Sequence, residues 1–161
     1  MIRKMKLKIA IISSKSSQRE EELFDKAQKG NWMVERFAQN QMSAVKTYAP
    51  DLLITFDLVG FQNGTLADCV AYNLLDCKQL HFILNDNLPN ERFLQKQLSI
   101  SMFFYCAGEG YYEHLKSTYA ELPYLKLLKG WMEGTDGAAV IHNAALLAAA
   151  VEEVAKECGL A

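Results

Sequence analysis

The sequence predicts an α/β fold: an open, doubly wound sheet of about five parallel strands, Rossmann- or flavodoxin-like, in a three-layer α/β/α arrangement. Two observations carry it. Five short runs, each mostly apolar on both faces, recur along the chain, as strands buried beneath helices on both sides require. The segments between them are long enough for helical crossovers, and the series ends on a helix.

The strands are "LKIAIIS" (7–13), "DLLITFD" (51–57), "QLHFILN" (79–85), "ISMFFYC" (100–106) and "YLKLLKG" (124–130). Each is five to seven residues long and bounded by polar, Gly or Pro residues. Residues 18–28 read as a charged helix that Lys29-Gly30-Asn31 breaks. A second helix is expected over 32–48, "WMVERFAQNQMSAVKTY", with Trp32, Phe37, Met42, Val45 and Tyr48 as its apolar stripe and Pro50 as its stop. Thr65 begins a helix through about Cys77, Pro89-Asn90 opens another through about Ser99, and Gly110 to Tyr119 makes a short one. Thr135 or Asp136 caps the last, Gly137 to about Glu157, with Gly159 ending it. Residues 130–137, "GWMEGTDG", read as the most flexible stretch.

Composition narrows the function classes. The 161 residues, half of them apolar, suit one globular domain spanning 1–161. A net charge of −2 offers no broad basic field, so duplex nucleic acid is not expected as a partner. The N-terminal cluster of Arg3, Lys4, Lys6 and Lys8 is read as a solubilising flank of the first strand, or as a touch point for phosphates or an anionic surface. No apolar stretch approaches the roughly 20 residues of a membrane span, and His142 and Asn143 interrupt the Ala-rich end. A cytoplasmic location is expected, where Cys69, Cys77, Cys106 and Cys158 stay as free thiols without metal-ligand spacing.

Ligands of open α/β sheets bind beyond the carboxyl ends of the strands. After the first strand, Ser13, Ser14, Lys15, Ser16 and Ser17 resemble a phosphate-binding turn of the flavodoxin kind, without its usual glycine; plain N-capping is the alternative. After the second come Asp57 and Gly60. After the fourth, Gly108, Glu109, Tyr111 and Tyr112 combine backbone access, an acid–base candidate and stacking surface, with His114 nearby. The competing reading is a Gly-Glu-Gly turn with tyrosines capping the sheet edge. Cys106 with His114 is a further thiol–imidazole candidate. His81 reads as a core or ligand-lining histidine, His142 as structural, and Asp86 as the start of the next helix. No GxSxG, HExxH or DxD motif is present, and no metal site is expected.

The stretches "YAPDLLITFDLVGF…YNLLDCKQLHFILND" and "LSISMFFYCAGEGYYEHLKSTYAELPYLKLLKG" carry a resemblance. They look like the N-terminal domain of bacterial two-domain (GT-B) glycosyltransferases of the spore-maturation-protein-like kind, over residues 48–131. In those proteins a strand ending in Asp-x-x-Gly-Phe leads into a helix, and Asp57, Gly60 and Phe61 fall on that loop. The resemblance implies an acceptor-side unit without the donor-binding half. It would act with a separate donor-binding subunit or be degenerate in catalysis, with a nucleotide sugar as the candidate cofactor.

Two other readings stand beside it. One is a flavodoxin-like module binding flavin (FMN) or nucleotide through Ser13–Ser17, with Tyr111 and Tyr112 stacking the ring. The other is an interaction protein that meets a partner, or a second copy, through its Ala-rich C-terminal helix.

Overall fold

A computed structural model describes residues 6–13, 32–38, 41–58, 75–86, 88, 91–96, 102–120, 122, 124–134 and 136–160. The expected helices over 18–28 and most of 65–77, together with Ser14–Ser17 and Gly60, lie outside these residues.

Six strands form one all-parallel sheet: β1 (Leu7–Ser13), β2 (Trp32–Ala38), β3 (Leu52–Phe56), β4 (Lys78–Ile83), β5 (Met102–Cys106) and β6 (Leu125–Leu127). Their order is β2-β1-β3-β4-β5-β6. The first five follow the 2-1-3-4-5 order of flavodoxin-type sheets, whose direction reverses between β1 and β3. Among the described residues three α-helices accompany them: α1 (Met42–Tyr48), α2 (Glu109–Thr118) and α3 (Gly137–Glu157).

Alternation along the strands divides the core in two. Ala10, Ile12, Leu53, Ile83, Phe104 and Cys106 point to the face covered by α1 and α2. Ile9, Ile11, Leu52, Ile54, Phe82 and Tyr105 point to the face on which α3 lays Leu147, Val151 and Val154. The α/β expectation holds, with one strand more than the sequence suggested.

The extra strand corrects the expected helix over 32–48. Trp32–Ala38 pairs in parallel with all of β1, from Leu7↔Trp32 to Ser13↔Ala38. Helix α1 starts only at Met42. Between them Gln41 turns the chain, its Oε1 accepting from Ala38 N at 2.7 Å while its own N–H reaches Ala38 O. Phe37 and Val45 share one core, as a helical stripe would have placed them, but Trp32 packs on the opposite face of the sheet.

Three smaller differences follow. Leu75–Cys77 is not helical, and Glu91–Lys96 is a 3₁₀ segment rather than an α-helix. Only Leu125–Leu127 of the 124–130 run pairs as a strand.

Lys8, from the N-terminal basic cluster, is spoken for. Its Nζ donates to Tyr48 O at 2.6 Å, at the C-terminal end of α1, and lies 4.5 Å from the Tyr48 ring centroid. A cation there complements the negative end of the helix dipole.

By length and composition α3 is apolar enough to cross a membrane, contrary to the expectation set by His142 and Asn143. In this fold its Ala139, Ala144, Leu147, Ala150, Val151, Val154 and Ala155 are buried. Those two polar residues hold the adjoining loop, as described below.

Candidate functional site

The carboxyl edge of the sheet begins, at the β1/β3 reversal, with backbone strain. Asp57 and Leu58 both adopt φ of +53°, a left-handed conformation that costs a non-glycine residue roughly 1–2 kcal/mol. What holds Asp57 there is visible. Its N–H extends the ladder to Phe82 O, and its Oδ1 accepts from Leu84 N (2.7 Å) and Asn85 N (2.9 Å). Oδ2 accepts from Asn85 Nδ2 at 2.9 Å. Asp57 therefore ties the end of β3 to the turn after β4. Ser13, the other described residue of the expected cradle, ends β1.

Beneath this edge, within the sheet, lies a polar group with no contact to solvent. Thr55 and His81 are 0 % exposed and Gln79 is 1 % exposed. His81 Nε2 donates to Gln79 Oε1 at 3.0 Å, which leaves Nδ1 to accept from Thr55 Oγ1 at 2.6 Å. The ring stacks on Phe104, with centroids 5.2 Å apart. Burial pushes the imidazole down to about 3, so it is neutral. His81 is a core histidine.

Further along the edge a cleft of about 630 Å³ opens between the ends of β4, β5 and β6. One wall is the start of α2: Gly108, Glu109, Gly110 and Tyr111, with His114 one turn on. The other is the chain leaving β6, including Lys129, Trp131 and Glu133, and Asp86 closes the side after β4. Asp86, Glu109, Glu133 and Lys129 are exposed and make no hydrogen bond or ion pair with any described residue. Among the described residues, no three His, Cys, Asp or Glu side chains converge enough to hold a metal ion.

Asp86 has a particular seat. Its carboxylate lies against Gly108, the N-cap of α2, so closely that a Cβ on that residue would collide with Asp86 Oδ1. Gly108 is needed for this approach, and no side chain caps the helix at that end.

The second wall is fastened to α3. Asn143 Oδ1 accepts from Met132 N at 2.9 Å and its Nδ2 donates to Met132 O at 2.8 Å. His142 Nε2 donates to Gly130 O at 2.7 Å, and Gly130 turns with φ of +92°. The stretch read as flexible is thus pinned at two points on either side of Trp131.

The tyrosines do not form a stacking rim. Tyr111 points into the core beside Leu115 and is 9 % exposed. Its hydroxyl donates to Glu91 Oε1 at 2.6 Å and accepts from Leu88 N. Tyr119 donates to Glu91 Oε2 at 2.6 Å, and His114 Nε2 meets Oε1 at 3.1 Å. Burial alone would raise the Glu91 carboxyl, but these three hydrogen bonds outweigh it and hold it below the usual range. Burial and that carboxylate push the Tyr111 hydroxyl up. Tyr112 does not line the cleft; it packs against the α1/α2 core, with Lys116 Nζ 5.8 Å from its ring centroid.

The thiol–imidazole idea is likewise not supported. Cys106 is fully buried, burial pushes its thiol up to about 11, and its Sγ–H faces Gly108 O. His114 is engaged with Glu91 instead.

Of the expected site residues, the cleft gathers Gly108, Glu109 and Tyr111, while Asp57 and Ser13 end strands farther along the sheet. Sequence reasoning missed Lys129, Trp131 and Glu133 as a site wall, and assigned Asp86 to the next helix. Their one legible signal was position just past a strand end. No protein-family model matches the chain, and neither does any curated protein sequence or solved structure.

Proposed function

We propose that the chain is a glycosyltransferase-like, acceptor-side domain that holds an uncharged, hydroxyl-rich ligand at the carboxyl edge of its sheet and works with a separate donor-binding subunit. The lining of the cleft carries this reading. Three carboxylates without partners among the described residues, Asp86, Glu109 and Glu133, share a cavity with Trp131. Carboxylates accept hydrogen bonds from sugar hydroxyls, and an indole offers an apolar surface for the carbon face of the ring. Among the described residues of the lining, Lys129 and His114 are the only basic side chains, and His114 already meets Glu91. A nucleoside diphosphate entering here would meet more negative charge than positive, so the donor half of a transferase belongs elsewhere.

A second reading is favoured by a different observation. The 2-1-3-4-5 strand order puts its reversal at β1/β3, where flavodoxin-type domains hold FMN. The strained Asp57–Leu58 pair stands at that point.

Melting the purified protein with neutral mono- and oligosaccharides, UDP and FMN separates the two. A sugar that raises the melting temperature with concentration, while UDP does not, supports the acceptor reading. Stabilisation by FMN, with flavin absorbance retained through gel filtration, supports the second. No shift with any sugar refutes the first.

A further inference from the structure

Trp131 is the largest side chain of the described cleft lining, and it also packs in part against the core beneath α3. What fixes it lies outside the cleft. A side chain leaves the backbone in a direction set by the two peptide planes that flank it, because each plane is rigid. Both planes around Trp131 are held from α3. His142 Nε2 donates to Gly130 O at 2.7 Å and fixes the plane before Trp131. Asn143 Oδ1 accepts from Met132 N at 2.9 Å and fixes the plane after it. Asn143 Nδ2 adds a bond to Met132 O at 2.8 Å, so this buried amide satisfies both of its polar atoms on one loop residue. Neither His142 nor Asn143 belongs to the described lining.

We infer that His142 and Asn143 are positioning residues of this cleft: from α3, and without touching a ligand, they set where Trp131 stands and so the wall that a ligand meets. The inference rests on the cleft being the ligand site and deepens that reading by naming what holds its indole surface. An amide buried in an Ala-rich helix costs free energy unless it is hydrogen-bonded, and at position 143 the Met132 backbone supplies both partners. Ordering a large side chain before a ligand arrives is worth about two- to tenfold in affinity, since binding then has less order to impose. His142 is exposed, so replacing it removes little burial and separates the placement of Trp131 from the stability of the fold.

The test uses the full chain carrying Trp32→Phe, which leaves Trp131 as the one indole of the protein's two. Acrylamide quenching and near-ultraviolet circular dichroism then report on Trp131 with no ligand present. His142→Ala should melt within about 3 °C of this parent, yet raise the quenching constant about twofold and weaken the indole dichroism. His142→Gln, which keeps an N–H at a similar reach, should restore both signals. Asn143→Ala should move them further, since two bonds are lost. Ile141→Ala, an exposed neighbour on α3 whose side chain cannot hydrogen-bond the loop, should leave them unchanged. Unchanged Trp131 signals in His142→Ala overturn the proposal. An equal change in His142→Gln or Ile141→Ala overturns it too, since loss of the hydrogen bond would not then be the cause. If Asn143→Ala fails to fold, the two His142 variants decide the matter. The binding arm uses the neutral sugars above: one that stabilises the parent should bind His142→Ala about two- to tenfold more weakly. Equal affinity, with Trp131 displaced, overturns the claim that this wall meets the ligand. Failure of every sugar to bind the parent, with the Trp131 signals moving as expected, removes the acceptor reading and leaves the placement of Trp131 by α3 standing.

Discussion

The buried histidine ties the stability of this fold to pH in a way that can be calculated. In the folded chain His81 sits without solvent, donates to Gln79, accepts from Thr55, and takes a proton only near pH 3. In the unfolded chain its pKa is about 6.5. A histidine depressed in the folded state leaves stability complete above the unfolded value and erodes it as pH falls, because only the unfolded chain binds the proton. At pH 5 the unfolded imidazole is protonated about 1.5 pH units below its pKa, which favours unfolding by about 2 kcal/mol at 1.36 kcal/mol per unit. The loss runs between pH 6.5 and about 3. Glu91, whose carboxyl is held below its ordinary value, acts only under pH 4.5, so the range 7.5 to 5 isolates the histidine. Urea unfolding of wild type and His81→Gln across that range should show the stability gap between them shrink or reverse by about 2 kcal/mol as the pH drops. If His81→Gln fails to fold, the His81 imidazole resonances of wild type serve instead, and should not titrate between pH 7.5 and 4. Parallel stability curves, or a titration near pH 6.5, would refute the reasoning.

Three further outcomes are expected. Asp57→Ala removes three hydrogen bonds to a charged acceptor and should cost about 2–4 kcal/mol in urea unfolding, with faster amide exchange at Leu84 and Asn85. Tyr111→Ala, a truncation of a buried ring, should cost about 3–5 kcal/mol, while Tyr112→Ala should stay near 1 kcal/mol; equal costs would contradict the core placement of Tyr111. Glu91→Ala should cost about 2–3 kcal/mol by leaving the Tyr111 and Tyr119 hydroxyls without their acceptor. In that variant the Tyr111 hydroxyl should titrate at lower pH in a spectrophotometric titration, since a neighbouring negative charge has gone.

How much of this was legible in the sequence depends on how local each cause is. Strands β1, β3 and β5 announce themselves because both faces are buried and nearly every position is apolar, and β4 follows from Leu80, Phe82 and Ile83 although Lys78, Gln79 and His81 share it. Strand β2 is at the sheet edge, where exposed Met33, Glu35 and Arg36 dilute the pattern, and its spacing also suits a helix. Only its parallel pairing with β1 decides the matter, and that is not a local property. Tyr111 was readable: with Leu115 and Tyr119 it forms an i, i+4, i+8 stripe, the signature of an inward helix face. Glu91 was not, since its partners lie 20 to 28 residues further along the chain. The glycines around Trp131 suggested looseness. The restraint on that loop comes from Asn143, 11 residues beyond Met132, and a polar residue in an Ala-rich helix reads as an interruption until its partner is seen.

Asn143 does for the backbone of Met132 what a neighbouring strand would do: one acceptor and one donor, presented by a single buried amide. The loop is therefore ordered when the protein folds and has little freedom left to lose when a ligand arrives. Encounter with the cleft then needs no prior opening step, so the observed association rate should climb linearly with ligand concentration. On the proposed reading, this wall would meet a ligand as a mould rather than as a gate.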